Sequence, residues 1–467
     1  MLIKSLKTLK LNHLIYRSLS TTSTRLNLND KVILTDKYDK FTLKRVDILS
    51  HKLAEDLLSN YNKRDLNGEK IAVLCSNNYT YLLAVMAIWK ANGVPLGLNK
   101  NYPTNLIEYF INDSKCKLVI NGISEEESSS PSKDTADLNG LLDKHKVINY
   151  KLMESKFYAN TAEARNEDSL ENFRRLLSQS SKEAMILYTS GTSGPPKGVV
   201  LTCGNIKSTC ETLINAWKMS STDSLLHCLP LNHVHGLIYC LLTMLYSGAH
   251  VDMLPKFNAE LVWSKLLEKD NGINTFMAVP TIYVQLVNYY MNNEQFRNKY
   301  PGEYVRWIFK NKVRLVVSGS APLNVKTHKE WNDITGYEIL ERYGMTEIGL
   351  GLSNPYEQTE GRKRVAGAVG RPYGNTAVRI VEPNDGNDKD HVLVESTPGS
   401  DTIHKRDKTL FGELQIKGDM VFREYHEKPA QTKETFSDDG WFKTGRIRIG
   451  LVLYFTLFKK KFRLLNK

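Results

Sequence analysis

The sequence has no apolar run long enough to cross a bilayer. The run Leu451–Phe458 falls well short of the ~20 apolar residues that a membrane-spanning helix needs. Cysteine is scarce: six occur in 467 residues, and none belongs to a C-x-x-C pair. This usage excludes a disulfide scaffold and is typical of a reducing compartment. We therefore expect no transmembrane segment and reduced thiols.

Acidic residues are absent from both ends of the chain. Residues 1–29 hold five basic side chains and residues 446–467 hold seven, with no Asp or Glu in either range. Because these two ranges account for the whole formal charge of +12, residues 30–445 are neutral. A neutral body with basic ends argues against nucleic acid as a partner.

Residues 1–29 are rich in basic and hydroxyl side chains. Leu2, Leu6, Leu9 and Leu14 recur near helical spacing with lysines between them, and the unbroken apolar core of a secretory signal is missing. This pattern is typical of an amphipathic mitochondrial transit peptide. We expect cleavage of this leader and location in the mitochondrial matrix; a disordered basic tail is the alternative.

The N-terminal half alternates between strand and helix patterns. The segment KIAVLCS, residues 70–76, is typical of a buried strand; the next apolar segment, ending at Gly93, indicates a helix, and VPLGLN indicates another strand. This rhythm predicts an α/β fold with a partly parallel sheet. The length of the chain favours two or three lobes.

The stretch LYTSGTSGPPKGVVLT, residues 187–202, combines glycines with hydroxyl side chains and one lysine. Glycines let backbone N–H groups converge on phosphate, while hydroxyls and a lysine add donors and charge. A Walker A loop is excluded because Pro196 stands where that motif needs glycine and Gly198 follows Lys197. Nor is it a nucleophile elbow, because Pro195 follows Gly194. The sequence predicts a polyphosphate-binding loop between two strands; a flexible surface turn is the alternative.

The same stretch resembles the phosphate-binding motif of the adenylate-forming ligases, which include acyl-CoA synthetases, luciferases and peptide-synthetase adenylation domains. Further motifs follow in the family's order: LPLNHVHGL (229–237), SGSAPL (318–323), YGMTE (343–347) and GWFKTG (440–445). The resemblance covers approximately residues 31–445. It implies that residues 30–445 form the family's large N-terminal domain, an α/β unit of two subdomains plus a small β-rich lobe.

The resemblance also implies site residues and cofactors. The ATP phosphates are assigned to Thr189, Ser190, Gly191, Thr192, Ser193, Gly194 and Lys197. The adenine is assigned to a turn of Gly319, Ser320 and Ala321, with Tyr343 stacked on it. Thr346 is expected to touch phosphate and Glu347 to bind Mg²⁺. Carboxylate attack on a phosphoryl group needs charge neutralisation, which a lysine, hydroxyls and a hard cation supply. Coenzyme A is the second substrate, and a small carboxylic acid is the first.

His233 and His235 form an H-x-H pair within the second quoted family segment, LPLNHVHGL. The resemblance places both at the acyl pocket, with His235 nearest the reacting carboxylate. No third ligand stands at metal spacing, so a zinc site is disfavoured. Two core histidines remain an alternative.

Arg342, immediately before YGMTE, indicates the class of acid. With an arginine at this position, the chain resembles the malonyl-CoA synthetases. In those enzymes the arginine is expected to bind the distal carboxylate of malonate or methylmalonate. A guanidinium buried beside a fatty tail would be costly. Met345 and Arg314 are further substrate-site candidates, Arg314 the weaker. The alternatives are that Arg342 pairs with Glu338 or Glu341 on a helix, and that the substrate is a fatty or aryl acid.

The resemblance stops at Gly445. The family continues KTGD, with the aspartate on the ribose hydroxyls, whereas this chain has Arg446, which cannot accept hydrogen bonds. We interpret residues 446–467 as an aberrant basic and apolar tail in place of the family's C-terminal lid domain. Impaired synthesis of malonyl-CoA is the expectation. A non-catalytic fragment that binds nucleotide or acyl-adenylate is the alternative.

Overall fold

A computed structural model describes residues 30–122, 138–152, 168–189, 194–360, 362–382, 391–396, 410–451 and 454–457. The predicted leader, residues 1–29, lies outside these ranges. So do four residues of the predicted phosphate-binding loop: Ser190, Gly191, Thr192 and Ser193.

The described residues contain strands from Val32 to Leu457. They are β1 (Val32–Thr35), β2 (Lys40–Thr42), β3 (Lys70–Cys75), β4 (Val94–Gly97), β5 (Leu118–Gly122), β6 (Ile148–Lys151), β7 (Glu183–Thr189), β8 (Lys197–Thr202), β9 (Ser224–His227), β10 (His250–Met253), β11 (Thr275–Ala278), β12 (Leu315–Ser318), β13 (Leu340–Met345), β14 (Gly349–Ser353), β15 (Arg371–Pro372), β16 (Ala377–Val381), β17 (Val392–Ser396), β18 (Leu410–Lys417), β19 (Glu424–Tyr425), β20 (Phe442–Leu451) and β21 (Tyr454–Leu457).

Helices connect most of these strands. They are α1 (Leu43–Asn60), α2 (Tyr79–Lys90), α3 (Thr104–Ser114), α4 (Leu138–Lys144), α5 (Ser169–Leu176), α6 (Cys203–Trp217), a π-helix (His235–Leu242), α7 (Thr243–Ser247), α8 (Ala259–Leu267), α9 (Pro280–Asn292), α10 (Glu294–Lys299), α11 (Gly302–Asn311), α12 (Val325–Thr335) and α13 (Pro429–Thr435). No helix among the described residues is both long and apolar enough to cross a membrane.

Two large mixed sheets and one smaller sheet organise the described strands. The nine-stranded sheet has the order β15-β14-β13-β12-β11-β9-β10-β1-β2, and the seven-stranded sheet has the order β19-β8-β7-β4-β3-β5-β6. A five-stranded antiparallel sheet has the order β17-β16-β18-β20-β21. The predicted α/β class is therefore confirmed, with parallel strands at the centre of both large sheets.

Helix α2 shows how the large sheets share a core. Asn78 caps its first turn by accepting a hydrogen bond from the N–H of Thr80, and the sequence that follows is apolar on every side. All its residues from Tyr79 to Trp89 are buried. A helix that is apolar all round must be covered on all faces. It belongs to one continuous apolar cluster that includes residues from both large sheets.

The parallel strands β9, β11, β12 and β13 lie side by side in the nine-stranded sheet. Their carboxyl ends therefore meet at one edge, where open α/β sheets commonly bind ligands. Three predicted segments follow or end these strands: the one containing His235, the Gly319 turn and the YGMTE segment. The fold thus gathers widely separated motifs into one region.

Candidate functional site

The predicted phosphate-binding loop closes a hairpin between β7 and β8. The two strands are antiparallel, and Thr189 pairs with Lys197 at the end of the strands next to the loop. Gly194 has φ +108°, a conformation that L side chains rarely adopt. The hydroxyl of Tyr109 donates to the carbonyl of Pro196 at 2.7 Å and fixes one side of the loop. The predicted pair of strands is present, and Thr189 and Lys197 mark the loop's two ends.

A tight turn follows β12. Gly319 is buried, whereas Ser320 and Ala321 are exposed at the rim. Ser320 has φ +70°, a strained conformation for a non-glycine residue that is concentrated at functional sites. Its Oγ lies 3.1 Å from Nδ1 of His235. The predicted adenine turn and the predicted acyl-pocket histidine are therefore in direct contact.

His235 begins a π-helix, a rare conformation that is frequent at functional sites. A Cβ on Gly236 would lie 2.3 Å from the carbonyl oxygen of Pro230, so the helix starts pressed against the preceding loop. His235 is buried, and its Nε2 has no hydrogen-bond partner within the described ranges. Burial, the charge of Arg342 and His227 together hold the pKa of His235 well below its usual range. The imidazole is therefore neutral near pH 7.

His233 differs from its neighbour. Its side chain is exposed, with Nε2 3.5 Å from Nδ2 of Asn232. Within the described part of the chain, no three residues of the types His, Cys, Asp or Glu are grouped to hold a metal ion. The two histidines thus occupy different environments.

Arg342 lies on β13 with its guanidinium enclosed by the protein. Only 3% of the residue is exposed, and its Nε and Nη2 have no hydrogen-bond partner in the part of the chain that the structure describes. The guanidinium carbon lies 4.5 Å from the ring centroid of Tyr239, a cation–π distance. A Cβ on Gly319 would lie only 2.3 Å from Nε of Arg342, so glycine leaves the space that the guanidinium occupies. Burial lowers the pKa of Arg342.

The alternative that Arg342 pairs with a neighbouring acid on a helix is wrong. Residues 340–345 form a strand, and successive side chains of a strand point to opposite faces. Glu341 faces away and accepts from the N–H of Gly367 at 2.7 Å; burial raises its pKa to about 7. The carboxylate of Glu338 accepts from Gln358. Among the described residues, no acid forms an ion pair with Arg342.

Tyr239 completes a group of buried polar atoms that lack partners. Its hydroxyl has no hydrogen-bond partner among the residues that the structure describes, and a Cβ on Gly344 would lie 2.7 Å from that oxygen. Its ring centroid is 5.9 Å from that of His235. Buried polar groups are nearly always hydrogen-bonded, so unpaired ones need an explanation. Unpaired atoms of His235, Tyr239 and Arg342 next to one another indicate a space built for a polar ligand.

Arg314 does not join this group. It precedes β12, at the end opposite Gly319, and forms a bidentate ion pair with Asp223 through two contacts of 2.5 Å. Its Nη1 donates to the carbonyl of Trp217 at 2.9 Å. Every one of these contacts is structural. The geometry therefore gives Arg314 a role in joining strands, not the substrate contact that the sequence suggested.

The YGMTE segment forms the end of β13 and a turn into β14. Tyr343 is buried, with its hydroxyl 3.6 Å from Sδ of Met345. Met345 and Thr346 are half-buried, and Glu347 is buried. A Cβ on Gly344 would lie 2.3 Å from the carbonyl oxygen of Gly349, which explains the glycine at the narrowest point of the hairpin.

Tyr425 joins the predicted catalytic residues, although no sequence motif pointed to it. Its hydroxyl donates to Oε1 of Glu347 at 3.0 Å, and its ring centroid lies 4.8 Å from Nζ of Lys197. It lies on β19, which pairs with β8 after more than two hundred intervening residues. A pairing of such long range leaves no local signal in the sequence. Glu347 and Lys197 are thereby brought to one place.

Comparison with known proteins identifies the family of the chain. The chain matches the AMP-binding enzyme family over residues 23–426. It is 38% identical over 423 residues to the mitochondrial malonate–CoA ligase ACSF3 of Bos taurus, covering 89% of this chain and 68% of the relative. With the ligase of the same name from Homo sapiens it shares 35% over 441 residues, covering 92% and 72%.

Solved structures show the same fold. Apo MatB from Rhodopseudomonas palustris superposes with a TM-score of 0.71 at 27% identity, covering 92% of this chain and 77% of that one. A malonyl-CoA ligase bound to methylmalonyl-CoA and AMP gives 0.71 at 25% identity, covering 95% and 80%. The chain belongs to the AMP-binding enzyme family, as its motifs predicted. It is an ATP-dependent acid–CoA ligase, which joins a carboxylic acid to the thiol of coenzyme A.

Proposed function

We propose that the acid is malonate, with methylmalonate as a second substrate. The observation that carries the proposal is the buried guanidinium of Arg342, whose Nε and Nη2 have no hydrogen-bond partner among the described residues. Isolated buried charges are strongly disfavoured, so such a group is expected to meet an anion. The names of the malonate–CoA ligases that this chain resembles support the same substrate.

A second carboxylate on the acid supplies the missing partner. A planar guanidinium and a carboxylate can form two parallel charge-assisted hydrogen bonds. In this proposal the distal carboxylate of malonate binds Arg342, and the reacting carboxylate lies nearer His235. A fatty or aryl acid would instead leave the guanidinium against an apolar tail, without compensation.

ATP is proposed to bind across the motifs at the carboxyl edge of the nine-stranded sheet. Tyr343 stacks on the adenine beside the turn of Gly319, Ser320 and Ala321. The loop from Thr189 to Lys197 surrounds the phosphates, and Thr346 contacts them. The exposure of Ser320 and Ala321 and the positive φ of Ser320 support this assignment. The positive charge of Lys197 at the base of the loop offsets phosphate charge.

The residues present fit a Mg²⁺ ion that binds together with the nucleotide. One buried carboxylate, Glu347, beside the hydroxyl of Thr346, suits a cation that binds through one or two carboxylates plus phosphate oxygens. Glu347 would hold the ion, and Met345 would line the acyl side of the turn. Bound there, the ion would neutralise charge on the phosphates.

The chain's residues can position the first half-reaction. A carboxylate oxygen of malonate attacks the α-phosphorus, the bond to the β-phosphate oxygen breaks, and pyrophosphate leaves. Lys197 would stabilise the growing charge on phosphate, and the neutral His235 would orient the acid by its unpaired Nε2. The thiolate of coenzyme A then attacks the acyl carbon and displaces AMP.

We further propose residues 30–445 as the adenylation domain, residues 1–29 as a cleaved transit peptide and the mitochondrial matrix as the location. The mitochondrial relatives support the location. At Arg446 the family pattern changes within an element, because β20 runs from Phe442 to Leu451 and stays paired with β18.

The arginine at 446 favours one alternative function. A cation cannot accept hydrogen bonds from ribose hydroxyls as an aspartate can. This difference supports a non-catalytic protein that binds nucleotide or acyl-adenylate.

Acid-dependent exchange of labelled pyrophosphate into ATP tests the proposal. We expect exchange that depends on malonate and is much weaker with hexanoate. Nucleotide binding without exchange would favour the binding function. Faster exchange with hexanoate than with malonate would contradict the dicarboxylate assignment.

A further inference from the structure

We infer that Tyr425 is a positioning residue that sets the geometry of both Glu347 and Lys197 for Mg²⁺-ATP. The inference rests on the proposed function, since it concerns the same nucleotide site. It assigns a task to a residue outside all five family motifs.

The hydroxyl of Tyr425 orients the carboxylate of Glu347. It donates to Oε1 at 3.0 Å, and both residues are buried. The main chain of Glu347 is held from the same segment, because the N–H of Phe422 donates to its carbonyl at 2.7 Å. Side chain and backbone of the predicted magnesium ligand therefore depend on residues 422–425. A ligand carboxylate is usually oriented by hydrogen bonds from such outer partners.

The ring of Tyr425 acts on a second group. Nζ of Lys197 lies 4.8 Å from the ring centroid, within cation–π range. A lysine at the base of a glycine-rich loop has four rotatable bonds, so a fixed aromatic face limits where its ammonium can go. One side chain thus contacts an acid through its hydroxyl and a base through its ring.

The segment that carries Tyr425 is itself held firmly. Its backbone pairs with β8, and the N–H of His426 donates to the carbonyl of Gly198 at 2.7 Å. On either side of Tyr425, ion pairs join the segment to the seven-stranded sheet region: Arg423 with Glu183, and Lys428 with Asp113.

Asp113 also ties this support to the loop. It accepts from the hydroxyl of Tyr188 at 2.7 Å on β7, the strand that leads into the loop. The ring of Tyr188 packs edge-on against that of Tyr109, whose hydroxyl contacts the loop at Pro196. A side chain held on such a support can fix the distance between the groups it touches.

The two contacts can be separated by substitution. Tyr425→Phe keeps the ring beside Lys197 and removes only the hydroxyl on Glu347. Tyr425→Leu removes both. Tyr290→Phe is the matched control, because it deletes a buried tyrosine hydroxyl that donates to the carbonyl of Tyr300, remote from these motifs in sequence.

The experiment measures ATP affinity of the full chain by calorimetry, once with Mg²⁺ and once with EDTA. For Tyr425→Phe we expect ATP affinity in EDTA close to wild type, and at least a fivefold loss of the enhancement that Mg²⁺ gives. Tyr425→Leu should lose a further two- to fivefold of affinity in EDTA, because the cation–π contact is gone. Tyr290→Phe should match wild type in both conditions.

The outcomes separate this inference from the function on which it rests. If wild type shows Mg²⁺-enhanced binding and Tyr425→Phe shows the same enhancement, the inference is overturned and the nucleotide site stands. If wild type does not bind ATP in either condition, the proposed function fails and the inference fails with it. Tyr425→Phe removes a single oxygen atom, so it provides the test even where Tyr425→Leu fails to fold.

Discussion

Arg314, just before β12, and Arg342, on the neighbouring strand β13, have opposite environments. Arg314 lies before β12, where two contacts with Asp223 and one with a backbone carbonyl satisfy its nitrogens. Burial acts to lower the pKa of Arg314, but the hydrogen bonds that it donates to Asp223, together with the charge of Asp223 and the interaction with Tyr356, raise it overall. Arg342 lies at the other end of the sheet, where burial lowers its pKa and two of its nitrogens are unpaired.

The difference teaches how to separate a structural buried charge from one that awaits a ligand. Breaking a paired buried charge leaves its partner uncompensated and destabilises the fold. Removing an unpaired buried charge relieves its desolvation cost and weakens only the binding of the ligand that the charge contacts. Stability and activity should therefore respond in opposite order at the two arginines.

The largest effect is expected for Arg342→Met on malonate use. Loss of two charge-assisted hydrogen bonds to the distal carboxylate should lower kcat/KM for malonate roughly 10²–10³-fold, or about 3–4 kcal/mol. Steady-state pyrophosphate exchange measures this. Arg314→Met is the control and should change kcat/KM much less. Equal losses of kcat/KM in both variants would contradict the assignment of only Arg342 to the substrate.

Arg314→Met should have the largest effect on stability. The side chain of Asp223 is 1% exposed, and without Arg314 its buried carboxylate loses its ion-pair partner. We expect the free energy of unfolding to fall by about 3 kcal/mol, measured by urea denaturation. Arg342→Met should be no less stable than wild type. A destabilised Arg342→Met would mean that its charge has a structural partner.

Glu341, on the opposite face of β13 from Arg342, should make stability depend on pH. Burial raises its pKa from 4.5 to about 7 in the folded state, so folded protein binds a proton that the unfolded chain has released. Its stabilising contribution is present below pH 4.5 and is lost as pH rises towards 7. Relative to Glu341→Gln, wild type should lose about 2 kcal/mol of stability between pH 5 and pH 8. Parallel stability curves for the two proteins would show that Glu341 does not titrate in this range.

The smallest effect is expected for Gly319→Ala. Its methyl group would lie 2.3 Å from Nε of Arg342 and must displace the guanidinium. We expect kcat/KM for malonate to fall about tenfold, near 1.4 kcal/mol. In the Arg342→Met background the same change should have little effect, because the two residues are coupled through one contact. Additive effects in this double-mutant cycle would show that Gly319→Ala lowers kcat/KM by a route other than displacement of Arg342.

Much of the secondary structure around the site could be predicted because it follows from local sequence patterns. The apolar segments on both sides of the glycine-rich loop predicted β7 and β8, and KIAVLCS predicted β3. The family resemblance supplied the grouping of His235, the Gly319 turn and YGMTE. These signals are short-range or carried by motifs of fixed composition.

What escaped prediction depends on contacts between distant parts of the chain. Asp223 and Arg314 are 91 residues apart, so neither residue indicates the other in the sequence. Tyr425 and Glu347 are 78 residues apart. The π-helix at His235 depends on the close approach of Gly236 to Pro230, which hydrophobic periodicity does not reveal. The alternative that Arg342 pairs with Glu341 on a helix was also wrong, because both residues lie on β13 and their side chains point to opposite faces of that strand.

One thermal-shift measurement tests the central claim most directly: whether malonate stabilises wild type and Arg342→Met, each saturated with Mg²⁺ and an α,β-methylene analogue of ATP. This analogue blocks adenylation, so only binding contributes. A ligand that binds the folded state at 100 times its Kd adds about 2.7 kcal/mol. We predict that malonate raises the Tm of wild type and not that of Arg342→Met, and that Arg342→Met alone melts no lower than wild type. An equal malonate shift in both proteins would contradict the claim that Arg342 is held unpaired for a second carboxylate.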